Sequence, residues 1–217
     1  MNFGRYTSQH YITVIDKESS KRLQFLGNFG TYLENASRKP VERRGPADRW
    51  LLESKLDGEL ALTLAEAFYL TYSLGILKVV NDKTGNQMTL LECWSEFRNL
   101  CKLSRKRLDF AMEYAVYHYF KSRDWVIKTG HNYGTNYLLY REGPAIDHAR
   151  YAVHIINDEF PPEWESLLTL YRVLQSVCKK LLLVFVHCAT TNFDSPKCIE
   201  GIKITIRAFE SKTIIKL

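Results

Sequence analysis

Two apolar runs, Leu138 to Tyr140 and Ala149 to Ile156, flank a turn that contains Gly143-Pro144. A Gly-Pro pair interrupts regular structure, because glycine reaches positive φ and proline fixes its own φ while restricting the residue before it. The two runs therefore read as consecutive strands, and their turn brings Tyr140 and His148, eight residues apart, to one edge of a sheet. A phenol and an imidazole at such an edge can act as base and acid if a nearby cation favours the phenolate. Lys179, at the mouth of the run Leu181 to His187, is the candidate cation.

Around this turn the second half of the chain reads as α/β. A helix is expected from Asp109 to Lys121, with Phe110, Ala111, Tyr114, Ala115, Tyr117 and His118 forming one broad buried face. Strands are expected at Trp125 to Lys128, Tyr137 to Tyr140, Ala149 to Ile156, Leu181 to His187 and Ile199 to Phe209. Pro161-Pro162 introduces a helix from about Glu165 to Ser176. The last strand, rich in Ile and Phe, reads as apolar on both faces and in need of a partner edge.

The first half reads as a small α+β domain. Short β-like runs, His10 to Ile15 and Leu23 to Leu26, precede a basic loop from Asn35 to Asp48, whose Arg38, Lys39, Arg43 and Arg44 suit either solvent or RNA. Thr63-Leu-Ala-Glu66 and Thr89-Leu-Leu-Glu92 are capping boxes, each opening a helix. In such a box a hydroxyl and a carboxylate three residues apart reciprocally satisfy orphan N–H groups. Gly75 closes the first helix, Ile76 to Val80 follows as a strand, Asp82 to Gly85 as a turn, and the second helix runs to about Lys102. Ser104-Arg-Lys-Arg107 joins the halves, as a basic helix cap or a nuclear-import patch. The expected domains are thus 1–105 and 106–217.

Composition bounds the function. A chain of 217 residues with 46% hydrophobic content can build a proper core. It has no apolar run near the ~20 residues of a membrane helix and no signal-peptide core, which predicts an intracellular protein. Five cysteines, Cys93, Cys101, Cys178, Cys188 and Cys198, form no CxxC pair and indicate neither a zinc ribbon nor a disulfide framework. No metal and no cofactor is expected, His187, Cys188 and Cys198 being at most a partial ligand set. The net charge of +6 suits a polyanion. Lys121, Arg123, Trp125, Lys128, Tyr133, Arg141 and Arg150 interleave cations with aromatics, as single-stranded nucleic acid requires.

The order Tyr140, Gly143-Pro144, His148-Ala149-Arg150-Tyr151, Arg172-Val173 and Lys179, with Leu181 to Val184 behind it, resembles the catalytic subunits of the tRNA-splicing endonuclease. The likeness runs from about Leu62 to about Lys203. Tyr119-Phe-Lys-Ser-Arg123-like and Tyr140-Arg-Glu-Gly-Pro144 phrases are most similar to the subunit that cuts the 5′ splice site. The resemblance implies a mixed-sheet α/β nuclease domain behind the α+β domain, with Tyr140 as general base, His148 as general acid and Lys179 stabilising the transition state. The RNA 2′-OH would attack its own phosphodiester, leaving a 2′,3′-cyclic phosphate and a 5′-hydroxyl. An ordinary phenol titrates near ~10 and needs a cation to serve at neutral pH, whereas a histidine near ~6.5 can be held protonated by the phosphate.

The family also implies that Arg172 contacts RNA by joining a tryptophan around an intron base. That tryptophan is missing from the end of this chain, which reads Ile206-Arg207-Ala208-Phe209. An acidic loop, here Thr190 to Ser195 with Asp194, docks into a partner in the family, which assembles as a heterotetramer of two catalytic and two structural subunits on intron-containing pre-tRNA. The implied location is the nucleus, with the mitochondrial outer surface as the other option. Two other readings stand beside this one. A metal-dependent nuclease would use Asp194 with Glu210-Ser-Lys212, and a non-catalytic structural or tRNA-binding subunit would keep only the fold.

Overall fold

Asp16 caps a helix that the apolar run Leu23 to Leu26 disguises. Its carboxylate accepts from the Ser19 N–H at 2.8 Å, and α1 (Lys17–Gly27) follows, burying Ser19, Ser20 and Leu23 on one face. Residues 23–26 are therefore helical, not a strand, because the local cap and the i, i+3, i+4 burial outweigh four consecutive apolar-leaning residues. In the computed structural model, residues 2–6, 11–33, 59–103, 108–157, 161–188 and 192–209 are described. They form two compact units that divide after Leu100.

The first unit is built on a five-stranded mixed sheet. Its strands are β1 (Asn2–Tyr6), β2 (Tyr11–Val14), β3 (Thr31–Tyr32), β4 (Leu60–Thr63) and β5 (Leu77–Asn81), in the order β3-β4-β2-β1-β5. Only β1 and β5 run parallel. Neither β1 nor β4 is expected from the sequence, and pairing makes them, β1 with β2 and β5 and β4 with β2 and β3. The capping box at Thr63 opens α2 (Leu64–Phe68), which continues as a π-helical turn, Tyr69–Ser73. The buried Glu66 carboxylate accepts from the Thr63 N–H at 2.8 Å and, from across the unit, the Gly30 N–H at 2.9 Å. The second box, at Thr89, opens α3 (Leu90–Leu103). Phe68, Trp94 and Phe97 are fully buried against one another, each burial being favourable by roughly 2–3 kcal/mol.

The second unit holds α4 (Phe110–Lys121), β6 (Val126–Thr129), β7 (Tyr137–Tyr140), β8 (Tyr151–Asn157), α5 (Trp164–Ser176), β9 (Lys180–Cys188) and β10 (Ile202–Ala208). The sheet order is β10-β9-β8-β7-β6, antiparallel except for β8 and β9. A parallel pair needs a crossover, and α5 supplies it. One face of this sheet packs under α5 through Leu138, Ala152, Ile156, Leu167, Leu174, Leu181 and Leu183. In β10 the half-buried Ile202, Ile204 and Ile206 alternate with exposed Lys203, Thr205 and Arg207. The strand is thus apolar on one face only, against the sequence expectation, because period two separates its isoleucines from its polar residues. The loop 35–48, the junction 104–107 and Glu210-Ser-Lys212 lie outside the described residues.

Candidate active site at one end of the second sheet

Register brings the three candidates to a common end of the sheet. Leu139 pairs with Tyr151, and Tyr151 with Lys180. The end of β7 and the starts of β8 and β9 therefore coincide. Tyr140 is the last residue of β7, His148 lies in the turn before β8, and Lys179 immediately precedes β9. Two backbone bonds lock the junction. The Arg150 N–H donates to the Leu139 carbonyl at 3.1 Å, and the Lys180 N–H to the Arg150 carbonyl at 3.0 Å.

The connecting turn depends on Gly143, which has φ of +116°, a value that penalises any side chain. Its carbonyl accepts from both the Ile146 and Asp147 N–H groups, at 3.1 and 3.0 Å. The next residues cap themselves, with the His148 N–H donating to Asp147 Oδ1 at 2.8 Å and Arg150 lying 3.6 Å from the same carboxyl group. The His148 side chain is exposed, as an acid that must reach a leaving group has to be.

Tyr140 is half-buried and packs against the cluster under α5. Burial pushes its phenol above the ordinary tyrosine range, and the nearby Tyr133 phenol adds to the rise. The expectation that a cation lowers this phenol is thus not met, because the loss of water on burial disfavours the phenolate. The Lys179 ammonium instead lies 5.1 Å from the centre of the Tyr133 ring and donates to the Val177 carbonyl at 3.4 Å. Sequence reasoning placed Tyr133 among RNA-binding aromatics and missed its position between Lys179 and Tyr140. The signal was present in Gly130, whose added Cβ would come within 2.9 Å of the Thr135 carbonyl oxygen. That close approach lets the Gly130 carbonyl accept from the Tyr133 and Thr135 N–H groups and folds the short 3-10 turn His131–Tyr133 back toward the site.

Arg172 is exposed on α5, and its side chain makes no ion pair or ring contact among the described residues. The structure does not bring Phe209 to it. Phe209 packs on Trp164 at 5.5 Å and Tyr171 at 5.3 Å, tied by its N–H to the Leu181 carbonyl at 2.9 Å. Asp194 is exposed and its N–H bonds to Asn192 Oδ1. Among the described residues no group of three or more His, Cys, Asp or Glu side chains could hold a metal, and no helix is long and apolar enough to cross a membrane.

The chain is similar to proteins named tRNA-splicing endonuclease subunit Sen2. It is 36% identical to that of Rattus norvegicus over 157 residues, covering 67% of this chain and 32% of the relative. The Gallus gallus protein is also 36% identical over 157 residues with the same coverage, and the Arabidopsis thaliana subunit Sen2-1 is 29% identical over 149 residues, 65% of this chain and 59% of the relative. The chain thus spans about a third of the length of the animal relatives. The family model for the tRNA intron endonuclease N-terminal domain matches residues 6–94, and that for the catalytic C-terminal domain matches residues 110–193. With one match in each compact unit and in this order, the chain carries the N-terminal and the catalytic C-terminal domains of the tRNA intron endonuclease.

Proposed function

We propose that this chain is a catalytic subunit of the tRNA-splicing endonuclease, cutting intron-containing pre-tRNA at the 5′ splice site. The observation that carries the reading is the convergence of Tyr140, His148 and Lys179 on one sheet end, inside the stretch matched by the catalytic domain. In this mechanism Tyr140 takes the proton of the 2′-OH, whose oxygen forms a new bond to the adjacent phosphorus. The bond to the 5′ oxygen breaks, and His148 delivers a proton to that leaving oxygen. The products are a 2′,3′-cyclic phosphate and a 5′-hydroxyl, with no water consumed. Lys179 offsets the charge that builds on the phosphorane, where a positioned cation has its largest effect. No metal is needed, since base, acid and cation are all protein groups.

Assembly belongs to the same proposal: a heterotetramer with a second catalytic subunit and two structural subunits, in the nucleus or at the mitochondrial outer surface. β10 supports it, being an edge strand with half-buried isoleucines on one face. The test is single-turnover cleavage of pre-tRNA in EDTA by the complex co-purified with this chain, followed by end-group determination. Cyclic phosphate on the 5′ fragment is expected. A 3′-hydroxyl, or a chemical step that needs a divalent cation, would show the mechanism to be wrong.

A further inference from the structure

The sheet end that holds Tyr140 has a second face. Side chains alternate along a strand, so Leu139, Tyr151 and Lys180, which share one register line, lie opposite Tyr140. Trp125, one residue before β6, joins that face. Its ring lies under the Arg141 guanidinium at 4.5 Å and meets the Tyr151 ring edge-on at 5.7 Å and 85°. Trp125, Arg141, Tyr151 and Lys180 thus form a row across β6, β7, β8 and β9 in which half-buried rings alternate with exposed cations. A pair of the same chemistry, Arg123 at 3.6 Å over the Tyr119 ring, lies just past the end of α4, two residues before Trp125.

Charge favours an anion along this row. The turns 122–125, 141–150 and 177–180 carry five cations (Arg123, Arg141, Arg150, Lys179, Lys180) against three carboxylates (Asp124, Glu142, Asp147), and Asp147 is already engaged by Arg150. Rings held by half-burial, alternating with exposed cations, are the combination that binds single-stranded nucleic acid. Cations neutralise the backbone while aromatic surfaces accept bases of any sequence.

We infer that the row Trp125–Arg141–Tyr151–Lys180 is a binding strip for single-stranded RNA, holding the nucleotides next to the phosphate that reacts on the opposite face. The inference rests on the endonuclease reading for which RNA this is, and it can be tested without cleavage. The probe is a fluorescein-labelled single-stranded RNA of about ten nucleotides, made uncuttable by 2′-deoxy substitution and titrated against the full chain by anisotropy. Arg141→Ala is expected to weaken binding severalfold and to reduce the slope of log affinity against log salt by about 1. Trp125→Leu should weaken it by about 5- to 150-fold, the range for losing one stacked base, and Trp125→Phe should restore most of the loss. Arg141 is exposed, so Arg141→Glu tests the strip with the fold intact, as a thermal melt would verify.

Unchanged affinity and unchanged salt slope in Arg141→Ala and Arg141→Glu would overturn the inference. Loss of a protein partner with RNA affinity intact would overturn it too, by assigning the face to a protein. Weaker RNA binding by these variants, where the wild-type complex itself does not cut pre-tRNA, would sustain the strip and remove the endonuclease reading instead. Normal cutting with unaltered RNA affinity in the variants would remove the strip alone.

Discussion

The Lys179 ammonium lies 5.1 Å from the centre of the Tyr133 ring, and the phenol of that same ring stands close enough to Tyr140 to hinder its ionisation. One tyrosine therefore holds the proposed cation and opposes charge on the proposed base. Burial is the larger cause of the raised Tyr140 phenol and Tyr133 the smaller. An ammonium within ~6 Å of an aromatic face is attracted by it, which keeps the Lys179 side chain at the site before any phosphate arrives.

Tyr133→Phe separates these two effects. It keeps a ring under Lys179 and deletes the second phenol, so the Tyr140 phenol should ionise more readily. A base whose pKa lies above the usual tyrosine range is protonated at neutral pH, so the cleavage rate should climb with pH through neutrality. In Tyr133→Phe that climb should begin at lower pH, and in Tyr133→Leu the rate should fall because Lys179 loses its ring. The measurement is single-turnover cleavage across neutral to mildly alkaline pH. A shift to higher pH in Tyr133→Phe would refute the coupling.

His148→Ala should lower the cleavage rate by ~10²- to 10⁴-fold, the usual contribution of a general acid. Its side chain is exposed, so the thermal melt should not move. Tyr140→Phe should reduce the rate over a similar range, and Lys179→Ala should also slow it, while uncuttable RNA still binds all three. Cleavage by Tyr140→Phe at the wild-type rate would remove the base assignment.

Arg172→Ala reports on the base clamp implied by family resemblance. The side chain is exposed and unpaired among the described residues, so stability should stay within about 0.5 kcal/mol of wild type in urea unfolding. Cutting of structured pre-tRNA should weaken while the chemistry remains. An unchanged rate would mean that the clamp is absent here, Phe209 being packed on Trp164 and Tyr171.

His154 on β8 should make the fold sensitive to acid. Burial lowers its pKa below the ordinary histidine value, and its Nδ1 is buried with no hydrogen-bond partner among the described residues. The unfolded chain therefore binds a proton that the folded chain resists. Stability is fully present above the unfolded value of ~6.5 and falls as pH drops from there toward the lower folded value. His118, also lowered by burial, acts in the same direction. Denaturant unfolding of His154→Leu should show a shallower loss of stability between neutral and mildly acidic pH. An unaltered pH slope would rule the residue out.

Local chemistry was legible in the sequence. The boxes at Thr63 and Thr89 opened helices because hydroxyl, carboxylate and orphan N–H groups all lie within three residues of one another. The Gly143-Pro144 turn set Tyr140 and His148 at neighbouring strand ends for the same reason: one short connection decides it. Where the deciding partner was distant, reading failed. Leu23 to Leu26 looked like a strand until Asp16 and the buried face of α1 made it a helix, and β1 and β4 exist through ladders with strands far along the chain. Family resemblance could point to Lys179, but the parallel β8–β9 ladder is what carries it to the end of β7. Tyr133 beside Lys179, the raised Tyr140 phenol and the row through Trp125 were decided only by tertiary structure. Burial and cross-strand register depend on which segments meet, and a residue's type and sequence neighbours do not specify that meeting.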